Sequence, residues 1–476
     1  MDLRRRNTIR LDRFVSRLQA RLPRFIAGRL AAELDSAFSR STGTLEFMRS
    51  MDSFQAKVYA RLLREYGAEP FSQLLALKLC NLAVARYHFL NRHSVLISKP
   101  FQVTVDPTNA CQLGCPGCVH SLNPAYAGQF DWPRLTLSVD VFDRFMEQAG
   151  PFAFCGSLYN YGEPLLHKRF ADFVRASKKY LLFTQTSTNL SMPLLDTDNI
   201  VASGLDRIVL SIDGTTQDAY ERYRKKGRLE LVLGNVRKLV ASKKALGSPT
   251  PYLVWQFLTF KHNAHETDAA IRMARQLGVN EILVETPFGV EHDDPGIHAV
   301  TVKQRGTYTL IRWNGNWCSP ERRKAIEQIA PQVRGLFEYS WEQRFHDTEG
   351  SADDESRPAA ETCGWLYQNV TLDGASRIMP CCMSPDKSEK RLVFANFTDG
   401  EIVNLPMAKL ARLAFANRQA YDGRIQSVPP SQRPYCAQCT ESPRAYGLAN
   451  VSGDIRAIDE NHAVPRSVTW ALTDWS

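Results

Sequence analysis

The chain is predicted to be an α/β protein built on a parallel sheet, open or closed into a partial barrel, and three observations predict it. From residue 101 onward, short apolar runs alternate with stretches of helical period, as in strands joined by crossover helices. Before that point the periodicity is helical. After Cys363 comes a compact segment with closely spaced cysteines that reaches about Cys439. At 476 residues the chain is long enough for two or three domains with sizeable cores.

Taken in order, residues 1–100 form the helical region. From Leu11 the apolar positions Leu11, Phe14, Val15, Leu18, Leu22, Phe25, Ile26 and Leu30 recur near helical period, with arginines in the gaps and Pro23 as a break. Such a basic amphipathic helix over residues 9–30 can lie on an anionic membrane surface, although packing on the main domain or on a partner is the commoner fate. Strands are expected at 101–105, 152–159, 181–186, 207–212, 253–259 and 281–285. Helices are expected between them at 139–149, 168–179, 216–223, 229–246 and 266–277. In parallel sheets of this kind the ligand sits at the C-terminal ends of the strands. Residues 291–360 read as an irregular connection, with 349–361 an acidic, small-residue loop. Residues 361–445 hold the later cysteines, and 446–476 form a tail.

The composition, 44% hydrophobic and 23% charged, is that of a globular protein and excludes disordered and fibrous classes. The net charge of +9 is weak evidence for anionic partners over a chain this long. Eleven cysteines are few for a disulfide scaffold, and seven of them fall in close-spaced groups, which in a reducing compartment reads as metal ligation. There is no apolar h-region with a cleavage site, and the most apolar stretch, residues 71–90, is interrupted by Lys78, Asn81 and Arg86. The protein is therefore expected in the cytoplasm.

The chemistry begins at Cys111-Gln-Leu-Gly-Cys115-Pro-Gly-Cys118, directly after the first strand. Three thiolates at C-x3-C-x2-C on a loop with Gly114, Pro116 and Gly117 can turn towards one centre. Structural zinc takes four ligands, so zinc would need a fourth from elsewhere. In a [4Fe–4S] cluster, three cysteines leave one iron open to an exogenous ligand. This spacing, after the first strand, resembles the radical S-adenosylmethionine (SAM) superfamily. The resemblance implies a partial (β/α)6 barrel over residues 101–290 and a cluster on Cys111, Cys115 and Cys118. It also implies SAM chelated at the open iron and cleaved reductively to a 5′-deoxyadenosyl radical that abstracts hydrogen from a substrate. One departure is Gly117, where the family often has an aromatic residue.

Later motifs fall at the ends of the following strands, in the family's order. Tyr161-Gly162-Glu163 resembles the Gly-Gly-Glu motif that receives the methionine amine, a suitable task for an anion. Asn189 follows the third strand, where the family often has Thr-Asn-Gly near the cofactor. Ser211 and Asp213 belong to an S-x-D-G motif whose serine lies near the ribose in the resembling subgroup. A following arginine can pair with the methionine carboxylate; Arg224 is the choice, with Arg222 and Arg228 as alternatives. Asn263 ends the loop after the fifth strand as in the family.

Cys363, Cys381-Cys382 and Cys436-Ala-Gln-Cys439 flank a β-hairpin with a Gly374 turn. They resemble the twitch module, a shortened SPASM domain, which implies an auxiliary [4Fe–4S] cluster on Cys363, Cys381, Cys436 and Cys439, with Cys382 a bystander or exchanging roles with Cys381. A four-cysteine zinc site would satisfy the same residues. The Gly374-to-Cys381 interval is longer than the usual pattern, and the second SPASM cluster is missing.

The expected function is a radical SAM oxidoreductase or transferase-type enzyme served by a reductant such as flavodoxin or ferredoxin. A small molecule or natural-product intermediate ranks first as substrate, a peptide second, and a lipid at a membrane surface third. No catalytic acid or base is assigned; Tyr308, Trp313, Trp317 and Cys318 lie in the irregular segment, where core packing is the commoner role. A zinc or iron–sulfur protein that binds nucleic acid ranks below these, because aromatic residues barely interleave the basic residues of 1–30.

Overall fold

The computed structural model describes most of residues 77–118, then 120, 135–300, 306–309, 363–381, 393–430 and 433–436, a few single positions apart. The basic helix expected at 9–30, the loop at 349–361, the tail at 446–476, and Trp313, Trp317, Cys318, Cys382 and Cys439 lie outside the described residues.

Six parallel strands form the centre, in chain order: β1 (Gln102–Val105), β2 (Cys155–Ser157), β3 (Phe183–Thr188), β4 (Arg207–Ser211), β5 (Tyr252–Leu258) and β6 (Glu281–Glu285). Helices link them: α1 (Val139–Ala149), α2 (Phe170–Lys178), α3 (Thr197–Ala202), α4 (Gln217–Tyr223), α5 (Leu229–Ala245) and α6 (Thr267–Leu277). This is the partial barrel expected of strand–helix alternation. Parallel strands are covered on both faces, and β5 accordingly reads as a nearly unbroken apolar run interrupted only by Gln256, whereas β1 alternates Gln102 and Thr104 with Val103 and Val105. The layer between sheet and helices is aromatic. Phe142 of α1 meets Phe173 of α2 with ring centroids 4.8 Å apart, and the buried Trp255 donates to the Ile212 carbonyl at 2.7 Å.

Start signals place the helices. The Ser138 hydroxyl accepts from the Asp140 N–H at the start of α1, and Thr216 caps α4 by accepting from Ala219. Helix α6 stops at Gly278, whose φ of +79° is the left-handed conformation that glycine adopts freely. The short helix α3 was not anticipated; six residues with Ile200 and Val201 as its buried aliphatic pair carry too little periodicity to read.

The sheet extends beyond the six strands on both edges, to ten strands among the described residues. On one side β7 (Gly306–Thr309) runs antiparallel to β6, which places Tyr308 within a strand. On the other side β8 (Asn369–Leu372) pairs in parallel with β1, Gln102 opposite Asn369. The expected hairpin follows as β9 (Arg377–Met379), antiparallel to β8, and β10 (Ala395–Asn396) completes that edge. The left-handed residue of the turn is Ser376 (φ 63°), not Gly374. Gly374 serves close approach instead: a Cβ there would lie 3.1 Å from the Asn109 nitrogen and 3.0 Å from the Leu135 oxygen. The hairpin tip thus packs beside the loop that carries Cys111.

At the opposite, N-terminal end of the strands, the buried Lys78 donates to the carbonyls of Ala153 and Tyr180 (2.6 Å to the latter), next to the buried Cys155. Among the described residues no helix is long and apolar enough to cross a membrane.

Candidate cofactor site

The cysteine loop leaves β1 at its C-terminal end. A Cys118 N–H to Cys115 carbonyl bond of 2.9 Å closes a turn, and Gly114 donates to the Lys225 carbonyl at 3.2 Å. Cys115 is buried and Cys111 and Cys118 half-buried, and the three pack into one small apolar cluster with Leu113, Tyr223, Phe260 and Ile297. Burial pushes the Cys111 thiol up to about 12 and Cys115 to about 11. The neighbouring cysteines push in the same direction, and Arg224 pulls Cys115 down. The three sulfurs share one partly buried site, close enough that charge on one disfavours charge on Cys111 and Cys115. Gly117 also has a steric reason here: a Cβ would lie 2.7 Å from a Val290 methyl and 3.1 Å from the Tyr223 hydroxyl.

The loop after β2 is bound tightly to this one. Tyr161 and Gly162 both donate their N–H groups to the Asp106 carboxylate, at 3.2 and 3.3 Å, and Glu163 N–H donates to the Ala110 carbonyl at 2.8 Å. Glu163 is buried. Its Oε1 accepts from Thr188 (2.8 Å) and Leu165 N–H (3.0 Å), and its Oε2 from Asn189 N–H at 2.8 Å. A carboxylate has about four acceptor positions, so one remains for a further donor. Burial raises Glu163 to about 7 against these hydrogen bonds.

Asp106 was not singled out from the sequence, yet it is the anchor between the two loops. Its only sequence signal is an acidic residue before proline at the end of an apolar strand. Burial raises it to about 7, with Asp373 nearby adding to the shift. A carboxyl whose folded pKa lies above its unfolded value contributes stability that is fully present below about pH 4 and lost as pH rises through about 7. Asp106→Asn keeps an acceptor for the two N–H groups and removes a buried carboxyl whose pKa is raised, so the decline in melting temperature from pH 5 to 8 is expected to be shallower than in the parent. Parallel melting curves across that range would exclude this assignment.

The remaining predicted residues converge from β3, β4 and α4. Asn189 donates towards Cys111 Sγ at 3.8 Å and accepts at Oδ1 from Gln112 Nε2 (2.8 Å) and Ser191 N–H (2.8 Å). Gln112, between the first two cysteines, also escaped notice in the sequence. Ser211 pairs with Ser187 across β3 and β4 at 3.2 Å. Asp213 is fully buried, accepting from Leu258 N–H (2.8 Å) and from Arg224 Nε (2.5 Å). Arg224 Nη1 faces Cys115 Sγ at 3.9 Å. Asn263 is buried beneath, donating to the Asp213 carbonyl at 3.0 Å. The alternative arginines lie elsewhere: Arg222 pairs with Asp294 at the surface (2.7 and 2.9 Å), and Arg228 is exposed.

Three cysteines gathered in one small cluster suit a [4Fe–4S] centre, which takes one protein thiolate on each of three irons and leaves the fourth open to an external ligand. Beside the sulfurs, the buried Tyr220 hydroxyl has no hydrogen-bond partner among the described residues, while it senses the charges of Arg224, Asp213, Cys115 and Glu163. An orphaned hydroxyl among these groups suits a polar ligand such as SAM.

Of the later cysteines, Cys363 and Cys436 are half-buried against the main core, and Cys381 is half-buried just after β9.

The Radical SAM superfamily model matches residues 105–250. Curated relatives include PqqA peptide cyclases of Ruegeria pomeroyi, 27% identical over 189 residues, and of Gluconobacter oxydans, 25% identical over 190. These alignments cover 40% and 39% of this chain and 47% and 49% of the relatives. The chain thus spans about half the length of the curated relatives it matches. Among solved structures, SuiB of Streptococcus suis bound to S-adenosylmethionine aligns at 14% identity and a TM-score of 0.41, over 69% of this chain and 71% of that one. Residues 105–250 thus match the radical SAM superfamily domain, a family that uses a [4Fe–4S] cluster and SAM.

Proposed function

We propose that this enzyme cleaves SAM reductively and abstracts hydrogen from a peptide. The observation that carries the radical reading is the convergence of Cys111, Cys115 and Cys118 with Glu163, Asn189 and Arg224 at the strand ends of the matched domain. When bound there, the cluster and SAM supply a 5′-deoxyadenosyl radical for hydrogen abstraction. The chain's own part would be to bind and orient: Glu163 has an acceptor position for the methionine amine, Asn189 beside Cys111 and Ser211 at the end of β4 would offer polar contacts, and the apolar packing of Tyr223 and Phe260 would limit water at the sulfurs. Cys363, Cys381, Cys436 and Cys439 are proposed to hold an auxiliary [4Fe–4S] cluster, and a flavodoxin- or ferredoxin-type reductant to supply the electron.

The small-molecule substrate ranked first from sequence gives way to a peptide, because the curated relatives that align over the domain are peptide cyclases. Anaerobically reconstituted protein is expected to carry about eight irons per chain and to release 5′-deoxyadenosine under dithionite. A synthetic PqqA peptide is expected to raise that rate. Zinc instead of iron, with no deoxyadenosine, overturns the radical reading. An inert peptide alongside stimulation by aminoglycoside-type sugars returns the substrate to the small-molecule class.

A further inference from the structure

Arg224, the arginine expected to meet the methionine carboxylate, is fixed in place by its neighbours. Arg224 Nε is held by Asp213 Oδ2 at 2.5 Å, Nη1 reaches Cys115 Sγ at 3.9 Å, and Nη2 is taken by neither. Asp213 cannot swing away: it is fully buried, its Oδ1 accepts from Leu258 N–H, and its backbone carbonyl accepts from Asn263. The guanidinium lies 5.3 Å from the Tyr223 ring centroid, and the side chain is only 13% exposed, so little water screens it. A permanent cation is therefore held against a sulfur of the cysteine loop by a rigid anion.

Hydrogen bonds to cluster sulfurs and nearby charge set the potential of an iron–sulfur centre. When an external reductant adds one electron, the cluster becomes one unit more negative. A cation donating N–H towards a ligand sulfur stabilises that reduced form, and an anion opposes it. We propose that Arg224 is a positioning residue that raises the reduction potential of the cluster on Cys111, Cys115 and Cys118. Asp213 aims the guanidinium and partly offsets its charge. The proposal rests on the reading that these three cysteines hold a cluster.

The test is a potentiometric titration of the reconstituted full chain without SAM, followed by the electron paramagnetic resonance signal of the reduced cluster, with iron content measured on each sample. Arg224→Gln is expected to move the midpoint negative, with about tenfold less reduced cluster at a given poise, a shift of about 59 mV for one electron. Arg224→Lys, which keeps the charge, is expected to move it less. Asp213→Asn removes the opposing anion while keeping an acceptor, and its midpoint is expected to move positive. Opposite shifts separate electrostatics from damage to the loop, which would move both variants the same way. An unchanged midpoint in iron-replete Arg224→Gln, or shifts of the same sign in Arg224→Gln and Asp213→Asn, overturns the proposal. Where Arg224→Gln holds no iron, the Arg224→Lys and Asp213→Asn midpoints decide by the same signs. A parent protein that binds no iron sinks the cluster reading itself.

Discussion

A Cys115→Ala variant is expected to keep its fold and to release no 5′-deoxyadenosine. The loop around Cys115 is held by backbone bonds that do not involve the thiol, from Gly114 to Lys225 and from Cys118 to Cys115. The side chain contributes one buried sulfur to a cluster otherwise made by Leu113, Tyr223, Phe260 and Ile297. Deleting it costs about 1 kcal/mol, the scale of a small truncation in a packed site. On the proposed ligand set, two remaining cysteines would leave a second iron without a protein ligand, and the SAM-binding cluster would be lost. Iron is expected to fall from about eight to about four per chain if the auxiliary site is separate. Cys155→Ala is the matched control, because Cys155 is buried at the N-terminal end of β2, among Lys78 and the start of the strand. It is expected to show a similar stability cost with full iron content and full cleavage. Unaltered iron and deoxyadenosine in Cys115→Ala would remove that residue from the ligand set.

The six strands and five of the linking helices were legible because short runs rich in aliphatic, aromatic and β-branched residues, such as β5 and the threonine-rich β3, alternate with stretches of helical period. Helix α1 begins and ends where Ser138 and Gly150 say it should. The pairing of β8 with β1 was not legible: Gln102 and Asn369 are brought together by tertiary packing, and no local pattern announces a partner that far along the chain. Most of the candidate site was legible as motifs, but its connections were not. Asp106 reads as an ordinary residue before proline until the N–H groups of Tyr161 and Gly162 arrive from 55 and 56 residues away. That Arg224 lies inside the site while Arg222 lies at the surface had a readable basis. Tyr220 and Tyr223 define the buried side of α4, and Arg224, four residues after Tyr220, falls on that side, whereas Arg222 falls outside it. What no period encodes is that Asp213 waits there to receive it.

The second large effect is expected at Gly162, where the two loops touch. A Cβ on this residue would lie 1.7 Å from the Thr108 carbonyl oxygen and 2.9 Å from the Asn109 Cα. Both are backbone atoms of the segment leading to Cys111, so no side-chain rotation relieves the clash. The φ of Gly162 lies outside the left-handed region, and the demand is purely for space. In Gly162→Ala one loop must move, and the bonds that cross the junction go with it: Tyr161 and Gly162 to Asp106, and Glu163 to Ala110. At about 1 kcal/mol each, their loss destabilises the protein by about 3 kcal/mol. The displacement also carries Glu163 away from Thr188 and Asn189, and Asn189 from Cys111, so SAM affinity is expected to fall at least about tenfold, a loss of about 1.4 kcal/mol. Gly234→Ala in α5 is the contrast, since a Cβ there meets nothing within 4 Å and a helical alanine gains up to about 1 kcal/mol over glycine. Chemical denaturation and equilibrium dialysis with labelled SAM separate the two variants. A Gly162→Ala protein as stable as the parent, with unchanged SAM affinity, would mean that the loops do not meet as described and that Glu163 and the cysteines are independently placed.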